Sequence, residues 1–240
     1  MALPKIDVPI YVLTIPSTGK KVKIRPFVVK EEKLLLMALA SEEDQQIIDT
    51  TKQIINNCIL DKTNINKLSF FDIDYLFIAL RAKSVGETIE VNFICNTIQE
   101  DKTKCGFVFP VKIDIAKVEV KNLKSSMDVQ LTSKMTVKMK YPSYDIMKML
   151  ATKEDNLTKK IKIICACIER LFDGEQMYTP KDYSKEEFES FIESMTEEQF
   201  KKLDAFINTL PSFVVVADHQ CPKCGTKHHI EYKDFTSFFR

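Results

Sequence analysis

Seven cysteines occur in this chain of 240 residues, and two of them stand in CPKCG, residues 221–225. Two thiols at this spacing form a redox pair, half of a metal site, or an incidental reduced pair on a turn. The surrounding sequence separates these readings. A reactive thioredoxin-type pair sits at a helix N-terminus that lowers its thiol pKa. Here the motif runs instead into GTKHHIEY, a strand pattern. A second pair, Cys95 and Cys105, brackets the loop NTIQEDKTK, and Cys105 is followed by glycine just as Cys224 is. Aligning the two gives CGFVFPVKI beside CGTKHHIEY, a weak internal repeat in which each Cys-Gly step enters an alternating strand. The step has a physical reason. A tight knuckle needs a residue that tolerates positive φ, and it turns backbone N–H groups toward the thiolate.

Two knuckles from opposed hairpins would place four sulfurs around a tetrahedral zinc ion. Cys95, Cys105, Cys221 and Cys224 are therefore the expected ligands of a structural Zn2+. The Cys95–Cys105 spacing is unusually wide for such a site, and reduced, metal-free thiols at turns are the plainer alternative. His219, His228 and His229 lie close enough in sequence to replace one cysteine. On a strand His228 and His229 face opposite sides, so at most one of them reaches a metal easily. Four thiolates close the coordination sphere, which argues against a catalytic ion with an open position. Cys165 and Cys167 in IICACIE are two apart on a helical pattern and cannot face each other. With Cys58 they read as small core or boundary residues.

The elements that must carry these residues follow from periodicity. PIYVLTIPSTGKKVKIRPF (9–27) reads as a strand, an STGK turn and a returning strand. EEKLLLMALA (31–40) is a short apolar helix. In DQQIIDTTKQIINNCIL the residues Ile47, Ile48, Thr51, Ile54, Ile55, Cys58 and Ile59 trace one helix face. Three further helix starts carry a cap, a box and a staple: Ser69 with Asp72, Ser184 with Glu187, and Thr196 with Gln199. ETIEVNFIC (87–95) and CGFVFPVKIDI (105–115) alternate as strands. DVQLTSKMTVKMKYP (128–142) reads as one longer run, with Val129, Leu131, Met135, Val137 and Met139 on one face and Lys134, Lys138 and Lys140 on the other. SYDIMKMLA (143–151) and NLTKKIKIICACIERLF (156–172) are helical, and PSFVVVADHQ and HHIEYKDF close the chain as strands.

The expected class is α+β, with amphipathic helices packed around a small antiparallel β region that carries a zinc-ribbon-like four-cysteine site. The expected segments are 1–86, an N-terminal β-hairpin plus helices; 87–142, a β region with the first knuckle; 143–210, helical; and 211–240, strands with the second knuckle packing on 87–142.

Bulk composition limits the function. Lysine and arginine number 35 against 34 acidic residues, a net charge of +1, which argues against a generic nucleic-acid binder. Five glycines and no Walker or Rossmann fingerprint argue against nucleotide chemistry. MALPKIDVPIYVL lacks the basic start and apolar run of a secretory signal, and LLLMALA and FVVVA are too short to span a bilayer. The expectation is a soluble intracellular chain without a disulfide framework.

Several stretches together carry a family likeness. RPFVVKEEKLLLMAL (25–39), DTTKQIINNCIL (49–60), FDIDYLFIALRAKSVGE (71–87) and the closing FINTLPSFVVV…CPKCG…FTSFF (206–239) resemble the baseplate hub and hub-assembly proteins of T-even-like contractile-tailed bacteriophages. The resemblance implies a morphogenesis protein of the infected bacterial cytoplasm that helps build the central hub of the tail baseplate. Its partners would be other hub proteins, and it brings no catalytic residues. The residues themselves fit a non-enzymatic binding protein, since no nucleophile–base constellation stands out. The alternative is a zinc-ribbon nucleic-acid adaptor using the Lys134, Lys138 and Lys140 face with KKVKIR (20–25).

Overall fold

The structure, a computed structural model, describes residues 6–41, 43–124, 126–147 and 155–232. Its first elements are β1 (Tyr11–Thr14), β2 (Lys21–Ile24), α1 (Val29–Ala40), α2 (Asp44–Cys58), α3 (Phe70–Ser84), β3 (Thr88–Ile94), β4 (Val108–Asp114) and β5 (Glu119–Lys121). There follow β6 (Asp128–Gln130), β7 (Thr136–Met139), α4 (Tyr144–Met147), α5 (Asn156–Cys167), β8 (Ile168–Phe172) and β9 (Met177–Tyr178). The chain then forms α6 (Lys185–Glu193), α7 (Glu197–Asn208), β10 (Ser212–Gln220) and β11 (Lys227–Tyr232). Helices and small antiparallel sheets make this an α+β protein. It divides into two compact units. One takes Met1–Ile65, Phe71–Lys121 and Ser212–Arg240; the other takes Asn66–Phe70 and Asn122–Pro211. The division at Lys121–Asn122 falls inside the 87–142 segment.

In the first unit β1 and β2 pair from Tyr11↔Ile24 to Thr14↔Lys21. Their turn is closed at Gly19, whose φ of 67° suits a residue without Cβ. Val22 and Ile24 are buried while Lys21 and Lys23 are exposed, so the basic strand is the solvated face of an amphipathic hairpin. The chain returns to β2 after α2: Leu60 N donates to Lys23 O and Arg25 N donates to Cys58 O, both at 2.9 Å. Thr51, Ile54, Ile55, Cys58 and Ile59 of the α2 face are buried, as the spacing predicts. The third helix starts at Phe70, directly after Ser69, and is buried on nearly every face. Its Asp72 carboxylate accepts from Ser17 N at 2.9 Å, fastening the β1–β2 turn to the helix. Strands β3 and β4 pair along their full length, and β10 lies between β11 and β5.

The second unit is a four-stranded sheet in the order β6-β7-β8-β9, with helices α5, α6 and α7. Val137, Met139, Ile164, Cys167, Ile168 and Leu203 form the centre of its core. Two of the three expected capping boxes lie in this unit's last helices. Ser184 and Glu187 exchange bonds at the start of α6, and Thr196 and Gln199 do so at α7. A further cap, Asp155, opens α5 by accepting from Leu157 N and Thr158 N, both at 2.9 Å.

The helix expected over 156–172 ends at Cys167, and IERLF is strand β8, paired with β7 on one side and β9 on the other. Sheet pairing on both sides satisfies its backbone, which outweighs the short-range helical pattern. The run 128–142 is not one strand but the β6–β7 hairpin. Leu131 N and Thr132 N both donate to Met135 O, reversing the chain. The apolar face survives the turn, because Leu131, Val137 and Met139 are all buried in one core. Of the helix read over 143–151, α4 covers Tyr144–Met147 and residues 148–151 lie outside the described residues, as do 233–235 of the last strand.

Candidate metal centre

Each cysteine pair closes a hairpin, and the two closures share one hydrogen-bond scheme. In the β10–β11 hairpin, Cys221 N donates to Thr226 O and Gly225 N donates to Cys221 O, both at 2.9 Å. In the β3–β4 hairpin, Cys95 N donates to Phe107 O and Gly106 N donates to Cys95 O, again at 2.9 Å. Gly106 and Gly225 hold φ of 61° and 72°, the left-handed region that a Cβ would strain. The Cys-Gly repeat in the sequence is thus a repeat in the backbone. The first knuckle differs only by insertion: nine residues separate Cys95 from Cys105, where two separate Cys221 from Cys224, seven extra. The inserted chain folds as its own small hairpin. Cys105 N donates to Thr97 O and Gln99 N to Thr103 O, both at 2.8 Å, and Lys102 takes the left-handed conformation at the tip. The wide spacing therefore leaves the knuckle geometry intact.

The sulfurs of Cys95, Cys105, Cys221 and Cys224 all lie within 4.8 Å of one another. The nearest contacts cross between hairpins, Cys95 to Cys224 at 3.6 Å and Cys105 to Cys221 at 3.9 Å. These are far longer than the ~2.05 Å of a disulfide. They match the ~3.8 Å edge of a tetrahedron whose metal–sulfur bonds are about 2.3 Å. Cys95, Cys105 and Cys221 are buried and Cys224 is half-buried.

The electrostatics favour a cation. The Thr226 hydroxyl, 3.3 Å from Cys224 Sγ, and the Thr226 N–H draw the Cys224 thiol down to about 6. Cys105 behaves oppositely. The Phe107 N–H favours its thiolate, but burial and the three neighbouring sulfurs outweigh that and push it up to about 11. Four thiolates at this separation repel one another unless a positive ion sits among them. The cluster has the donor set, the separation and the burial to hold one metal ion.

The histidines separate by strand face. His228 Nε2 lies 3.4 Å from Cys95 Sγ, with its ring against Phe93 at 5.0 Å and stacked on His219 at 5.6 Å. His219 is packed between Phe93 and Phe109; burial, and next the His228 charge, lower its pKa. His229 turns to the other face, its Nδ1 2.6 Å from Asp218 Oδ1. Sequence reading missed Thr97 and Thr226, whose hydroxyls lie 3.3 Å from Cys95 and Cys224. Their signal was a threonine two residues after a knuckle cysteine in each hairpin.

The remaining thiols are inert. Burial first of all pushes Cys58 up to about 11 and Cys165 and Cys167 to about 12. Cys167 is part of the second unit's core and Cys165 packs against it. On the lysine face, Lys138 Nζ approaches Glu169 Oε2 at 3.5 Å, a solvated ion pair on the sheet.

The profile described as T4 bacteriophage base plate protein matches residues 8–240. The chain belongs to the T4 bacteriophage base plate protein family. No curated protein and no solved structure matches it. Family membership gives this baseplate protein a structural role in the phage tail, in contact with other baseplate proteins. The match covers both compact units and both cysteine knuckles. Among the described residues, no helix of this baseplate protein is long and apolar enough to cross a membrane.

Proposed function

We propose that this chain is a non-enzymatic morphogenesis protein of the central baseplate hub, as a resident subunit or an assembly factor, acting through protein–protein contacts in the infected host. The observation that carries the reading is the family match over residues 8–240, which accounts for both units at once. The hub assignment adds the likeness of RPFVVKEEKLLLMAL and FDIDYLFIALRAKSVGE to hub and hub-assembly proteins. We further assign the four-cysteine cluster as a structural zinc site with Cys95, Cys105, Cys221 and Cys224 as ligands. Four sulfurs in mutual contact fill a tetrahedron and leave no position for a substrate or an activated water. The ion would tie the β3–β4 hairpin to the β10–β11 hairpin.

The direct test is capture of the tagged protein from infected cells, with mass spectrometry of partial assemblies and of mature particles. Enrichment of hub proteins is expected. Presence in mature particles marks a resident subunit, and presence only in partial assemblies marks an assembly factor. Recovery with peripheral baseplate proteins alone, or with none, overturns the hub reading.

A further inference from the structure

The second unit contains a slot of about 410 Å³ beside the β8–β9 hairpin and the start of α6. Leu171, Phe172, Tyr178, Tyr183 and Phe191 supply most of its wall. The Tyr178 and Tyr183 rings lie 6.0 Å apart at 49°, and Phe172 and Tyr183 keep 44% and 43% of their surface exposed. Large aromatic residues left this open at one slot are unusual for a face without a partner.

Two charged residues line the slot, Asp173 and Glu187, and both are acidic; no lysine or arginine is among the described residues that line it. Both carboxylates are held in place. Asp173 Oδ1 accepts from Glu175 N at 2.9 Å and Gln176 N at 2.7 Å, and its Oδ2 accepts from the Tyr178 hydroxyl at 2.6 Å. Glu187 Oε2 accepts from Ser184 N at 2.7 Å. The Gln176 N–H, followed by the Tyr178 hydroxyl, lowers the Asp173 pKa to about 2, so its charge persists at any physiological pH.

Aromatic walls with fixed negative charge select a ligand that is apolar along its length and cationic at its tip. A purely apolar occupant would leave both carboxylate charges without a counterion. An acidic one would be repelled. Arginine meets both demands: its methylene stem packs on apolar walls, and its guanidinium stacks on a tyrosine face while donating to a carboxylate. We propose that this slot is the docking site for an arginine side chain presented by a partner baseplate protein. The proposal rests on the protein-contact role above but is measured apart from it.

The probe is the peptide Ac-Gly-Arg-Gly-NH2, titrated into the full-length protein with NMR detection of the tyrosine rings. Norleucine and glutamate analogues serve as comparisons. Saturable shifts at Tyr178 and Tyr183 are expected with the arginine peptide, with binding about fivefold weaker for norleucine and none for glutamate. Glu187→Gln keeps the capping box, which glutamine also serves, and should weaken the arginine peptide about fivefold, with only a small drop in thermal midpoint from the lost first-turn charge. No saturable shift, equal binding of the norleucine peptide, or unchanged binding in Glu187→Gln overturns the inference. A peptide that fails while hub proteins are still captured from infected cells sinks this slot and leaves the hub reading standing.

Discussion

Glu31 has no accessible side-chain surface, yet its carboxylate is fully engaged: Arg25 donates at 2.9 Å and Val28 N at 3.0 Å. Burial works to raise its pKa, but the bonds from Arg25 and Val28 and the Arg25 charge outweigh it and leave the carboxyl below the ordinary 4.5. A depressed folded-state pKa means that the unfolded chain binds more protons. The stability this group contributes is complete above about 4.5 and is lost as pH falls through the lowered folded value. Thermal midpoints measured from about pH 7 to pH 3 should therefore fall below about 4.5, and Glu31→Gln should flatten that acid limb. Superimposable limbs for the two proteins would contradict the assignment. The knuckle cysteines give a second residue-scale expectation. Purified without chelator, the protein should carry about one zinc per chain by elemental analysis. Cys95→Ser and Cys224→Ser should lose the metal and lower the thermal midpoint by about 5 °C or more, since ~1 kcal/mol moves it by roughly 2–4 °C at this size. Cys165→Ser should keep its zinc. Loss of metal in that variant would show the pairing to be wrong.

Among the elements, those with local signals were legible. Ser184 with Glu187 and Thr196 with Gln199 form the capping boxes their spacing announces, because a cap depends only on residues three apart. Ser184→Ala and Thr196→Ala should each cost roughly 1 kcal/mol in chemical denaturation. Neither should abolish partner capture while the protein is folded; a folded Thr196→Ala protein that no longer binds would put that turn in an interface. Strand β8 was not legible in the same way. Ile168–Phe172 follows a helix without glycine or proline, and only its pairing with β7 and β9 makes it extended. The β6–β7 turn was hidden for a related reason. Its apolar residues keep period two through the reversal, so Leu131, Met135 and Val137 read as one face although the chain doubles back between them. Periodicity reports which side chains are buried; it does not report where the backbone turns.

At the level of the molecule, the metal candidate brings together Cys95 and Cys224 across 129 positions. No periodicity reaches that far. It was readable only because the same Cys-Gly step recurs, and the seven extra residues of the first knuckle obscured the match. The family was legible because its likeness is spread over both units rather than held in one motif. Charge bears on the partner contacts as well. With 35 basic and 34 acidic residues the chain has little long-range steering, so its contacts with other baseplate proteins should change only modestly between low and physiological salt. The measurement that tests the central claim most directly is electron microscopy of cells infected with phage lacking this chain. The account predicts tail-less heads, intact peripheral baseplate pieces and no complete baseplates, with assembly restored when the chain is supplied in trans. Normal tails formed in its absence would contradict it.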